Sequence, residues 1–93
     1  MKNPELHIVK IAKALSDVSR VRIIQEIAKC GGTTCGAAVK IAGLSQPTVS
    51  HHVKVLIEAG LLKMVKNGRH HIISVNHKAL SDFMDLVAVS AER

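Results

Sequence analysis

Aromatic side chains are almost missing from this sequence: Phe83 stands alone among 93 residues, with no Trp and no Tyr. The core must therefore be aliphatic, built from Leu, Ile, Val and Ala. Cysteine is scarce as well, and the two present, Cys30 and Cys35, are too few for a disulfide-built secreted mini-protein. No run approaches the ~18–20 uninterrupted apolar residues that a membrane span needs. The opening Met1-Lys2-Asn3-Pro4-Glu5-Leu6-His7 lacks the apolar stretch of a signal peptide. The expectation is a cytoplasmic protein without membrane attachment, whose thiols stay reduced. Acidic residues are in the minority, 7 against 13 Lys plus Arg, for a net charge of +6.

The remaining composition, 47% apolar and 22% charged, belongs to a folded chain rather than a disordered one. The length fits one domain, residues 1–93, and excludes a multi-domain enzyme. A domain this small buries only ~60–65% of its unfolded surface, so a partner subunit that extends the core is expected. The charge is also concentrated. From Cys30 to Leu80 the basic residues Lys40, Lys54, Lys63, Lys66, Arg69 and Lys78 face one acid, Glu58, which places +5 of the +6 in one region. Such a balance points to a polyanionic partner, nucleic acid before acidic membrane. The plain alternative is a generic basic surface.

Periodicity predicts the order α-α-α-α-β-β-α. Asn3 followed by Pro4 starts a first helix, with Leu6, Val9, Ala12, Ile8, Ile11 and Leu15 at helical spacing. Asp17 caps a second helix carrying Val21, Ile24, Ile27 and Ala28, which ends at Gly31-Gly32. Thr33 and Thr34 cap a short third helix through about Ala42, and Gly43 stops it. Ser45 caps a fourth, in which Pro47 is tolerated in the first turn; Val49, Val53, Leu56 and Ile57 are buried and Gly60 closes it. The pattern then alternates along Leu62-Lys63-Met64. Lys66-Asn67-Gly68-Arg69 is a strong hairpin signal, and His71-Ile72-Ile73-Ser74-Val75 is the return strand. Asn76 caps a fifth helix with Leu80, Phe83, Met84 and Val87 on one face.

A short helix, a Gly-containing turn and a second capped helix make a helix-turn-helix signature over about 34–59. A basic hairpin directly after it, about 61–75, makes the winged form. The fold class expected is therefore mainly α with a β-hairpin wing. The second helix of such a unit buries one face and offers small polar side chains to base edges from the other, near its N-terminus. Val49, Val53 and Leu56 fill the inner face here, and Gln46, Thr48, Ser50, His51 and Lys54 remain outside. Gln46 suits bidentate pairing with adenine, Thr48 and Ser50 suit bases or phosphates, and Lys54 suits phosphate or guanine. Ser45 and Pro47 set the helix start, whose free N–H groups suit a phosphate. Lys63, Lys66, Asn67 and Arg69 on the hairpin are the candidates for the flanking backbone or minor groove.

The run Leu44-Ser45-Gln46-Pro47-Thr48-Val49-Ser50-His51-His52-Val53-Lys54-Val55-Leu56, followed by Glu58-Ala59-Gly60-Leu61, resembles the recognition helix of the ArsR/SmtB-type transcriptional repressors. The earlier run Ala14-Leu15-Ser16-Asp17-Val18-Ser19-Arg20-Val21-Arg22-Ile23-Ile24 is similar to the opening of the same family's second helix. The resemblance spans roughly residues 10–80. It implies a homodimeric winged helix-turn-helix protein that represses transcription by binding an inverted-repeat operator in double-stranded DNA. It also implies a dimer built by the first and last helices, about 4–15 and 77–90, with Leu6, Val9, Leu80, Phe83, Met84 and Val87 as the matching surface. The sequence departs from the family in carrying Val18 after the Asp and His70-His71 on the returning wing strand. The Cys-x-Cys box of metal-sensing relatives is reduced to Cys35, followed by Gly36 and Ala37. The last helix offers Asp82, Asp85 and Glu92 but His77 alone at its start, so neither metal-ligand set is complete.

Cys30 and Cys35 bracket Gly31-Gly32-Thr33-Thr34 and leave three readings open: small apolar fillers, a reversible dithiol switch, or a soft-metal pair. Neighbours on a helix sit ~100° apart and neighbours on a strand point to opposite faces, so neither His51-His52 nor His70-His71 is a ready chelate. His51 reads as a DNA-facing donor and His52 as partly buried beside Val49. No phosphate-binding Gly-rich loop, nucleophile elbow or carboxylate pair marks a catalytic site. The expectation is no enzyme, no cofactor and no metal, with the identity of any small effector open. The competing class is a winged-helix protein-interaction module without specific DNA binding.

Overall fold

A computed structural model describes residues 4–34, 37, 40 and 43–91. Its elements are α1 (Pro4–Ala14), α2 (Val18–Cys30), β1 (Thr33–Thr34), α3 (Gln46–Glu58), β2 (Leu62–Asn67), β3 (His70–Val75) and α4 (His77–Ala91). Among the described residues there are thus four helices and a three-stranded antiparallel sheet, ordered β1-β3-β2. Asn3, the expected cap of α1, lies outside the described residues, as does Cys35. The predicted third helix falls largely outside them too. Ala37 and Lys40 have helical backbone, and the Ala37 N–H donates to Thr34 Oγ1 at 3.2 Å, the bond expected of a threonine cap.

The third strand is a correction to the expected two-stranded wing. Thr33 and Thr34 pair with Ile73 and Ile72 before the chain turns helical. Two β-branched residues satisfy the free edge of β3, while Thr34 keeps its capping role.

Side-chain chemistry sets the other boundaries. Asp17 is extended and accepts from the Arg20 N–H at 3.2 Å, capping α2. Asn76 Oδ1 accepts from the Ala79 N–H at 3.1 Å, capping α4. The end of α3 is a Schellman motif: Gly60 N–H donates to Ile57 O at 2.9 Å and Leu61 N–H to Leu56 O at 3.0 Å. Gly60 takes φ +82°, which a side chain would strain. Leu56 and Leu61, the apolar pair that accompanies this motif, are both fully buried. Residue 59 rather than Gly60 is the last half-helical residue, and Gly60 is the left-handed one after it.

The core is aliphatic, as the composition requires. Ile11, Ile23, Ile27, Val49, Leu56, Leu61 and Ile73 have essentially no exposed surface, and Phe83 packs at the edge of this cluster. Helix α2 packs on α3 and on β3, while α3 leans on β2, so the helix-turn-helix and the wing share one core. Helices α1 and α4 lie against each other. No helix among the described residues is long and apolar enough to cross a membrane.

Candidate nucleic-acid interface

Helix α3 divides along its length as its period dictates. Val49, His52, Val53 and Leu56 are buried, while Gln46, Pro47, Thr48, Ser50, His51, Lys54 and Glu58 are exposed. Gln46, Ser50 and Lys54 stand at i, i+4 and i+8, so a row of amide, hydroxyl and ammonium runs down one outer line. The exposed polar residues begin at the N-terminus of the helix, the end that reaches base edges in a helix-turn-helix.

The helix start differs from its expected form. Ser45 occupies the capping position, but its hydroxyl makes no bond to the backbone. It pairs with Thr48 Oγ1 at 2.8 Å instead. A capping side chain reaches the N–H of the second or third helical residue; the second is Pro47, which has none, and at the third the Ser45 hydroxyl meets the Thr48 side chain rather than its N–H. The first-turn N–H groups therefore stay uncapped by Ser45, an arrangement that suits an anion.

His52 was expected beside Val49 and half-buried; it is buried, at 9% exposure. Its Nδ1 lies 3.3 Å from Arg20 Nη1. A guanidinium has only donors, so Nδ1 is the acceptor in this contact. Arg20 also donates from Nε to Ala14 O at 2.7 Å and from Nη2 to Lys13 O at 3.3 Å. One side chain thus ties the last carbonyls of α1 to the buried face of α3. Sequence reasoning missed this role because Arg20 and His52 are 32 positions apart. Asp17, beside them, is held below the ordinary carboxylate range, first by the Arg20 N–H it accepts, against burial, which acts the other way, and then by the Ser19 N–H.

The wing carries its cations on two faces. Alternation puts Met64 and Lys66 on one face of β2 and Lys63, Val65 and Asn67 on the other. Met64 lines an open groove of about 420 Å³ with Ser50, Val53, Lys54 and Ile57, so Lys66 shares the face turned to α3. Lys63 instead borders a depression with Ile27, Ala28 and Gly31, beside the end of α2. The structure therefore sets Lys63 apart from the other wing cations with which the sequence grouped it. Asn67 pairs with His70, leaving Gly68 and Arg69 as a two-residue loop. Of these only Gly68 has positive φ, +63°, the pattern of a type II′ turn with Arg69 at the tip.

A polar helix front beside a basic hairpin is a shape that fits duplex DNA, and likeness to known proteins agrees. The family model for a helix-turn-helix domain matches residues 15–65. The arsenical resistance operon repressors of Staphylococcus xylosus and Staphylococcus aureus are 39% and 36% identical over 70 and 74 residues, covering 75% and 80% of this chain. This chain belongs to the ArsR-type winged helix-turn-helix family. It spans 66% and 70% of the length of those two repressors. An ArsR-like transcriptional regulator from Rhodococcus sp. RHA1 shares the fold at TM-score 0.84 and 22% identity, over 95% of this chain and 83% of that one. The homodimeric winged helix-turn-helix DNA-binding domain of a possible ArsR-family regulator from Mycobacterium bovis shares it at TM-score 0.75 and 20% identity, over 94% and 81%.

The remaining sites of this ArsR-type chain fall into two groups. Leu6, Val9, Met84 and Val87 are exposed on α1 and α4, with Leu80 and Phe83 half-buried behind them. Cys30, the last residue of α2, is an exposed free thiol, which counts against the apolar filler among its three readings. No group of three or more metal-ligating side chains occurs among the described residues.

Proposed function

We propose that this chain is a homodimeric, sequence-specific repressor of transcription that works in the cytoplasm by binding an inverted-repeat operator. The observation that carries the reading is the exposed front of α3, where Gln46, Ser50 and Lys54 form a polar line backed by buried Val49, Val53 and Leu56. Base reading belongs to Gln46, with Thr48, Ser50, His51 and Lys54 around it, and Ser45 and Pro47 shaping the helix start. Lys66, Asn67 and Arg69 on the wing engage the flanking backbone. The two staphylococcal relatives named above are repressors, a role that needs no catalysis.

Dimerisation follows from α1 and α4, which present Leu6 at 67% exposure and Met84 at 60% on adjoining helices. Apolar surface of this kind on a domain with so thin a core is stabilised by covering it, and a second copy is the occupant. A two-fold axis would then place two α3 helices about one turn of DNA apart, ~34 Å. Selection of bound sequences from a random duplex pool tests the reading directly. Recovery of an inverted repeat by a protein that sediments as a dimer is the expected outcome. Binding with no sequence preference, or no binding at low salt, would leave a winged-helix protein-interaction module instead.

A further inference from the structure

Beside α3, on the side away from the wing, lies an open groove of about 370 Å³. Lys10 and Lys13 of α1 and Arg20 of α2 border it, with His51, Val55 and Glu58 of α3 on the opposite wall. Three cations therefore meet one carboxylate. Arg20 is held in place by the carbonyls of α1. Lys10 and Lys13 are exposed, and among the described residues neither ammonium has a carboxylate partner. They stand three positions apart, so they share one face of α1.

A helix lying in the major groove has a phosphodiester strand on each side of it, because that groove is only ~12 Å wide. On the wing side, Lys54 and Lys66 meet one strand. The other strand must pass along the opposite flank of α3, and that flank is this groove. We infer that the groove between α1 and α3 seats the second phosphodiester strand of the same major groove, with Lys10 and Lys13 as its backbone contacts. The inference rests on the DNA-binding reading above. It enlarges the DNA footprint from the helix-turn-helix and wing to the first helix, which the sequence assigns to dimerisation alone. The contacts are sequence-independent, since ammonium groups meeting phosphate oxygens carry no base information.

The test uses the dimeric protein, K10A/K13A and K10R/K13R, and a labelled random-sequence duplex titrated across salt. Each phosphate contact contributes about 0.9 to the slope of log affinity against log salt, so four lysines in a dimer contribute about 3.6. The alanine pair is therefore expected to lose about a hundredfold less affinity than the wild type between about 50 and 200 mM salt. The arginine pair is expected to keep the wild-type slope. Binding to random duplex and to the selected operator should weaken by the same factor, with circular dichroism and sedimentation unchanged. A wild-type slope in K10A/K13A overturns the inference while leaving the DNA-binding reading intact. So does a slope lost equally in K10R/K13R, which would mean that the lysines act through packing. If the wild type itself shows no salt-dependent binding to duplex, the DNA-binding reading fails and this inference with it.

Discussion

Replacing Arg20 by Ala tests how α1 is joined to α3. The guanidinium makes three contacts, and their costs differ because their surroundings do. Lys13 O, at 3.3 Å, is at an exposed position where water replaces the lost donor, so this contact counts for little. Ala14 is buried, and its carbonyl loses a 2.7 Å bond from a charged donor, about 1.5 kcal/mol. His52 Nδ1, in a ring that is 9% exposed, is left as a buried acceptor, at about 1–2 kcal/mol. The sum is about 2–4 kcal/mol, or a fall in Tm of roughly 10–25 °C for a domain of this size. Urea and thermal unfolding at one fixed protein concentration measure it, since a dimer's stability depends on concentration. A double-mutant cycle with His52→Leu isolates the side-chain pair, with an expected coupling of about 1–2 kcal/mol. If Arg20→Ala costs under about 0.5 kcal/mol, or if the cycle shows no coupling, the tie between the helices has no energetic content.

Further outcomes follow from single positions. Gln46→Ala should relax preference at one base pair of each half-site by about 1–3 kcal/mol; unchanged selected sequences would show that the register given to α3 is wrong. Lys66→Ala should weaken binding to every duplex alike and lower the salt slope by about 1 per protomer, which fluorescence anisotropy at several salt concentrations reads. Met84→Glu places a charge on the exposed face shared by α1 and α4 and should yield a monomer in sedimentation; a persisting dimer would move the interface elsewhere. Asp17 has a lowered carboxyl pKa in the folded chain. Its ionised form therefore contributes stability above the unfolded value of about 3.9, and the contribution is lost as pH falls through the folded value. Asp17→Asn keeps a capping oxygen but no titration, so its stability profile should be flatter below about pH 5; parallel profiles would count against the charged cap.

Local chemistry is what made most of this architecture legible. Asp17 and Asn76 cap as their types dictate, Gly31 and Gly60 end helices in left-handed conformations, and the alternation after Leu62 marks the wing. The reading line of α3 follows from a period of 3.6 acting on a short run of polar residues. Features made by residues distant in sequence were not legible. Two threonines are too short a run to show strand periodicity, and β1 exists because β3 offers it an edge. The Arg20–His52 contact joins two helices, and no local pattern announces it. Lys10 and Lys13 come to border a groove with α3 only through the packing of α1. The parity of β2 separates Lys63 from Lys66, yet the helix faced by each comes only from packing.

The supports of α3 are unevenly placed, and this bears on how DNA binding is tied to the dimer. Its C-terminal end is fixed by the Schellman bonds at Gly60 and Leu61 and by continuation into buried Leu62 of β2. Its middle is fixed by His52, through Arg20, to the end of α1. Its first turn, which carries Gln46 and Thr48, has the Ser45–Thr48 hydroxyl pair in place of a backbone cap. A shift of α1 is therefore delivered to the middle of α3, about one and a half turns beyond the reading end. Tilting the helix about its fixed C-terminal end moves that reading end furthest. Because α1 also carries Leu6 and Val9 of the proposed dimer face, a change in how two copies meet would alter the spacing of the two reading ends without altering the fold of either. On this geometry Arg20 is the side chain that joins the end of α1 to the middle of α3.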